Sequence, residues 1–81
     1  MKQYFVHYKQ TVTKKKTTIT YDFENVVANS PKDAELRILK GKLHELNNGY
    51  MICQVWNGTI FATDMNGNAT TFEIIITEAA W

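Results

Sequence analysis

His7 and Asp22 are residue types that can do acid–base chemistry together. A carboxylate beside an imidazole orients the ring and readies it as a general base. Both sit in stretches that alternate apolar and polar residues, so two adjacent strands would set them side by side. No register that these stretches allow brings a serine or cysteine nucleophile to them. The expectation is therefore an ordinary cross-strand polar pair, with a small enzyme around His7 and Asp22 as the least favoured reading. Cys53 is the sole thiol. Reactive thiols need an electropositive, partly exposed setting. Cys53 lies between Ile52 and Gln54 and is expected as a buried structural cysteine. A lone cysteine makes no internal disulfide, which excludes a disulfide-stapled secreted scaffold. His7, His44 and Cys53 match no metal-site spacing, and Gly41, Gly49, Gly58 and Gly67 are spaced as punctuation rather than as a phosphate loop. Neither metal nor cofactor is expected.

Binding chemistry is better represented. Lys14, Lys15 and Lys16 form a basic run, and Arg37, Lys40 and His44 follow helical spacing. Such groups can track a phosphate backbone. Asp33, Glu35 and Glu45 interleave with the helical row, however, and the net charge is only +1. A solvated helix face and a soluble hairpin tip explain the same residues. The aromatic residues Tyr50, Trp56 and Phe61, with Ile52 and Ile75, suggest a different use. Bases stack on such rings in sheet-type RNA readers. The RNA-recognition-motif order is βαββαβ with two helices, and its aromatic-glycine motif is absent here.

The leading expectation is a non-catalytic protein-binding or regulatory module. Its contact residues would be Tyr50, Ile52, Trp56, Phe61, Ile75 and Trp81, with homodimerisation as a companion expectation. A single-strand nucleic-acid binder using Lys14, Lys15, Lys16, Arg37 and Lys40 is the alternative. Lysine outnumbers arginine eight to one, a bias that follows A- and T-rich codons. An accessory protein of a phage or mobile element that inhibits or modulates a host protein fits that composition, by association rather than by physics.

These residues need elements to hold them. At 81 residues and 44% hydrophobic, the chain is read as a single α+β domain over 1–81. The N-terminus leads straight into strand-like alternation, and no apolar run is long enough to span a bilayer, so a cytoplasmic location is expected. Two Asn-Gly pairs, Asn57-Gly58 and Asn66-Gly67, mark β-hairpins in the last third. The first sets Trp56 opposite Thr59. For the second, a three-residue loop Met65-Asn66-Gly67 sets Phe72 opposite Ile60. A two-residue loop would bury Glu73, at far greater expense. Met51, Cys53, Val55, Ile60, Ala62, Phe72, Ile74 and Ile76 then share the core face. Tyr50, Ile52, Trp56 and Phe61 take the other.

Near the N-terminus, a two-residue Lys14-Lys15 turn would place Tyr8 opposite Tyr21, Val6 opposite Phe23 and His7 opposite Asp22. A four-residue turn keeps the same faces. Ser30, Pro31 and Asp33 are helix-start signals, and Asn47-Asn48-Gly49 is a stop. Between them Leu36, Leu39, Leu43 and Leu46 form one apolar stripe, with Ala34 and Ile38 to one side of it. The order is ββαβββ, a two-layer fold with one helix on one face of an antiparallel sheet. A helix of about 25 Å cannot cover five strands. Part of the sheet should stay open or pair with another subunit.

Overall fold

A computed structural model describes residues 1–80, and Trp81 lies outside the described residues. Strands β1 (Lys2–Thr13) and β2 (Thr17–Ala28) precede the helix α1 (Pro31–Leu46). Strands β3 (Met51–Trp56), β4 (Thr59–Thr63) and β5 (Ala69–Ala79) follow it. The order ββαβββ is as expected. All strand pairs are antiparallel, in the order β2-β1-β5-β4-β3. The last strand inserts beside the first, so β1 is paired on both edges and the sheet edges are β2 and β3. No helix among the described residues is long and apolar enough to cross a membrane.

The local signals act where the residues place them. Ser30 caps α1: its hydroxyl accepts from the Asp33 N–H at 3.1 Å, and Asp33 accepts from the Asn29 N–H at 3.1 Å. That Asn29 bond is the main reason the Asp33 carboxyl is held below its ordinary range. Asn57 (φ 50°) and Gly58 (φ 79°) both take the left-handed conformation that a type I′ turn requires, and Trp56 pairs with Thr59. The second hairpin closes at Asp64 and Asn68, with the Asp64 N–H bonded to the Asn68 carbonyl at 2.9 Å. Met65-Asn66-Gly67 is thus the expected three-residue loop, and Phe72 does pair with Ile60.

The core lies between α1 and one sheet face. Tyr4, Val6 and Tyr8 of β1, Ile60 and Ala62 of β4 and Phe72 of β5 are buried there. From α1 come Ala34, Ile38, Leu39 and Leu46, with Leu43 packed at the margin. The leucine stripe is therefore rotated from its expected position. Ile38 and Ala34 point at the sheet, and Leu36 is 45% exposed. Lys42 closes the end of the core. Its ammonium stands 5.2 Å from the Phe72 ring centroid and 5.7 Å from that of Tyr8, and 3.3 Å from the Glu45 carboxylate. The ammonium thus lies over both rings as a cation–π contact and is neutralised by Glu45.

The N-terminal hairpin departs from expectation. Lys14, Lys15 and Lys16 all lie in the loop, so Thr13 pairs with Thr17 and the register moves by one residue. Tyr8 now opposes Asp22, Val6 opposes Glu24 and His7 opposes Phe23. Because side chains alternate faces, this shift turns Ile19, Tyr21 and Phe23 away from the helix. Tyr21, expected beneath the helix, is 67% exposed. A second correction lies in β5. A register shift opposite His7 and Tyr8 leaves Ile74 partly packed on the core but turns Ile76 out, opposite His7.

Ile38→Ala and Leu39→Ala should each destabilise the fold by about 2–5 kcal/mol. Leu36→Ala should change it by less than about 1 kcal/mol in urea melts. A large loss at Leu36 with little loss at Ile38 would place the stripe where the leucine spacing alone puts it. The Tyr8 hydroxyl donates to Glu24 at 3.2 Å, and its pKa is pushed from 10.0 up to about 12, first by burial and then by the Glu24 charge. The unfolded phenol ionises near its ordinary value while the folded one keeps its proton. Stability from this group is thus complete below pH 10 and lost as pH rises toward 12. Tyr8→Phe should flatten the fall of urea-melt stability across that window, and an unchanged slope would count against it.

Candidate functional site

The uncovered sheet face collects most of the large exposed apolar groups. It is built in two patches by the strand registers. On β2, the odd-numbered residues Ile19, Tyr21, Phe23 and Val27 point outward, and all four are exposed. Phe5 and His7 of β1 lie beside them. The Phe5 and Phe23 rings meet edge to face at 5.6 Å, and His7 stacks obliquely on Phe23 at 5.5 Å. Ile75 and Ile76 of β5 complete this patch, each 54% exposed. A shallow cavity of about 380 Å³ opens here, lined by His7, Tyr21, Phe23, Ile75 and Ile76 together with Tyr8 and Asp22. It lies where the pairing of β1 with β5 is irregular, at His7 and Tyr8, and an extra residue at such a place bends the strand locally.

The second patch is Trp56 of β3 and Phe61 of β4, 72% and 38% exposed. They are diagonal neighbours across the Asn57-Gly58 hairpin, because Trp56 pairs with Thr59. Between the patches runs a polar strip. Lys9 meets Glu73 at 3.5 Å, Thr59 pairs with Glu73, and Phe61 pairs with Thr71. His7 Nε2 lies 2.8 Å from the Glu78 carboxylate. On this face Lys9 is thus paired with Glu73, and His7 and Glu78 share a hydrogen bond.

Trp56, Phe61 and Ile75 stand on the open face as the sequence led one to expect. Tyr50 and Ile52 do not: both pack against the hydrophobic core. The reason is a bulge. The pairing of β3 with β4 shifts between Ile52 and Gln54, which returns Ile52 to the helix side and expels Cys53. Cys53 is exposed rather than buried, and its Sγ lies 3.5 Å from the Met51 carbonyl and 3.4 Å from the Thr63 hydroxyl. Trp81, also expected at the contact, lies outside the described residues. The residues that sequence reasoning missed are Phe5, Tyr21, Phe23 and Ile76. Their alternation was legible, but the face they occupy was not.

The polar candidates separate. His7 does not face Asp22; it bonds to Glu78, and the Asp22 carboxylate accepts from the Phe23 N–H at 2.8 Å. Cys53 on β3 is three strand spacings from β1, about 14 Å, so no thiol adjoins the histidine. Among the described residues no three of His, Cys, Asp and Glu come together as a metal-holding group. The basic residues also divide. Arg37 pairs with Asp33 at 3.3 Å, and Arg37 and Lys40 are carried by the helix, on the side of the sheet opposite the aromatic patches. Lys14, Lys15 and Lys16 sit at the far tip of the β1–β2 hairpin, around a cavity of about 470 Å³ with Val12, Thr18 and Asn68.

No protein-family model matches the chain, and neither a curated protein nor a solved structure gives a match.

The exposed bulge makes a direct chemical prediction. Cys53 should titrate with a thiol reagent in the native protein, within about tenfold of its rate in denaturant. Protection by a factor of a thousand would return it to the core.

Proposed function

We propose that the protein is a binding module that engages another protein through the open face of its sheet. The observation that carries this reading is the exposed apolar set Tyr21, Phe23, Ile75, Ile76, Phe61 and Trp56, with half-buried Phe5 against Phe23, on the face opposite the one helix. Apolar patches of this extent usually mark a contact surface. Tyr, Trp and Phe are the anchors that such contacts favour, because they bring large apolar area at small entropic cost. The Lys9–Glu73 ion pair and the His7–Glu78 hydrogen bond form a polar strip between the two sets of rings. A partner with a matching apolar surface fits this face. The separation of Arg37 and Lys40 from the rings argues against the single-strand nucleic-acid alternative, whose chemistry needs bases and phosphates met on one side.

The test is affinity capture from the native host, with wild-type protein beside the Trp56→Ala/Phe61→Ser and Ile76→Ser variants. A partner held in stoichiometric amount by the wild type should bind the variants at least about 30-fold more weakly, corresponding to the loss of about 2 kcal/mol expected of contact anchors. Thermal melts should show all three proteins folded. A partner retained equally by folded variants would move the contact off this face.

A further inference from the structure

The two edges of the sheet are built differently. β3 is short, spanning Met51–Trp56, and is broken by the bulge at Cys53. Short, bulged edges resist pairing with another chain. β2 runs for 12 residues from Thr17 to Ala28, with no proline and an uninterrupted register against β1. Thr17 to Asn25 are exposed throughout. Its outer row of backbone N–H and C=O groups faces away from β1, and the Phe23 N–H in that row is held by the Asp22 carboxylate at 2.8 Å, a bond that a further strand would have to replace. The acidic residues it carries, Asp22 and Glu24, decide at which registers a second copy can pair with it.

We propose that β2 pairs antiparallel with β2 of a second copy of this chain, joining two sheets edge to edge. A two-fold axis normal to the sheet makes such a pair isologous and keeps both helices on one side. The residue on the axis then names the register. With Asp22 on the axis, Asp22 meets the partner's Asp22. With Phe23 there, Glu24 meets the partner's Asp22. Both registers oppose like charges and are disfavoured. With Tyr21 on the axis, Tyr21 meets the partner's Tyr21 and Ile19 meets the partner's Phe23 on the open face. On the helix side Thr20 meets the partner's Asp22 and Thr18 meets the partner's Glu24. Each carboxylate then faces a hydroxyl donor, and each large apolar group on Ile19, Tyr21 and Phe23 faces another. Placing Thr20 on the axis also avoids like charges but sets Thr17 against the partner's Phe23, so it pairs less apolar surface. The Tyr21 register is the one assigned.

The overlap, Thr17 to Asn25, exchanges about one main-chain hydrogen bond per opposed pair. A single-edge contact lies at the small end of specific interfaces, below about 1,200 Å² in total, so the dimer is concentration-dependent. Its consequence is functional. The open faces of two copies become one continuous surface, with the Trp56 and Phe61 patches at its two ends. The use of the dimer rests on the protein-binding reading above, whereas its formation does not.

Sedimentation of the full chain from about 10 µM to about 500 µM, spanning ordinary weak-dimer affinities, should show a shift from 9.3 kDa toward twice that mass. Thr20→Asp sets a carboxylate against the partner's Asp22 twice per dimer and leaves the open face unchanged. It should raise the dimer Kd at least about tenfold. In a Cys53→Ser background, Tyr21→Cys should form a disulfide-linked dimer on mild oxidation, because the two sulfurs meet on the axis. Phe23→Cys and Thr20→Cys should not. A chain that stays monomeric at the highest concentration overturns the proposal. So does a dimer indifferent to Thr20→Asp, or one that crosslinks at Thr20→Cys instead. The Trp56→Ala/Phe61→Ser variant should dimerise like wild type, so loss of partner capture there with dimerisation intact keeps the two readings separate.

Discussion

One helix cannot cover both sides of a five-stranded sheet, and the rest of this structure follows from that limit. α1 has 16 residues, a length of about 24 Å at 1.5 Å per residue. The molecule extends 42 Å in its long direction. The helix therefore buries Tyr4, Val6, Tyr8, Ile60 and Phe72 along part of one face and leaves the other bare. The burial that holds the fold together is concentrated there, since few polar groups interrupt it. Thr70, almost fully buried, accepts from the Gln10 amide at 3.3 Å, and no buried side-chain nitrogen or oxygen among the described residues lacks a partner. No second helix is present among the described residues, and the opposite face remains in solvent.

The open face owes its composition to a competition within β2. That strand carries two apolar sets of opposite parity, Ile19, Tyr21, Phe23 and Val27 against Val26 and Ala28. A regular strand can bury only one of them. The helix begins at Pro31, directly after the Asn29-Ser30 link, so the residues nearest it must face it. Ala28 is fully buried and Val26 packs against the core. Tyr4, Val6 and Tyr8 fall on the same side through the β1 register. The larger set is then turned outward. The three-lysine loop and the position of the helix act together on this point, and the lysines themselves need no ligand to account for them.

Bulges make the remaining adjustments. The one in β3 exchanges Cys53 for Ile52 at the helix side and blunts that edge of the sheet. The irregularity between β1 and β5 sends Ile76 outward while Ile74 keeps its place against the core. Each moves only a residue or two, yet each changes what the surface can do. The first takes the thiol off the helix-side face, and the second coincides with the cavity beside Phe23.

The sequence by itself determined everything that is local. Asn57-Gly58 forces φ > 0 at two adjacent residues and hence the Trp56–Thr59 register; Gly67 and the need to keep Glu73 out of the core determine the next hairpin; Ser30, Pro31 and Asp33 start the helix. These signals are strong because each is satisfied by neighbours within a few residues. The element order and the two-layer class follow from them. Trp56 and Phe61 could be placed on the open face because both flank such a turn. Tertiary structure alone decided what depends on parity over distance. Alternation in β1 and β2 shows that each strand has two faces, but not which one meets a helix that comes later in the chain. Bulges at Cys53 and near Ile75 carry no glycine or proline to announce them. Tyr21, Phe23 and Ile76 therefore became surface, and Ile52 and Tyr50 became core, because packing against α1 outweighed the local pattern.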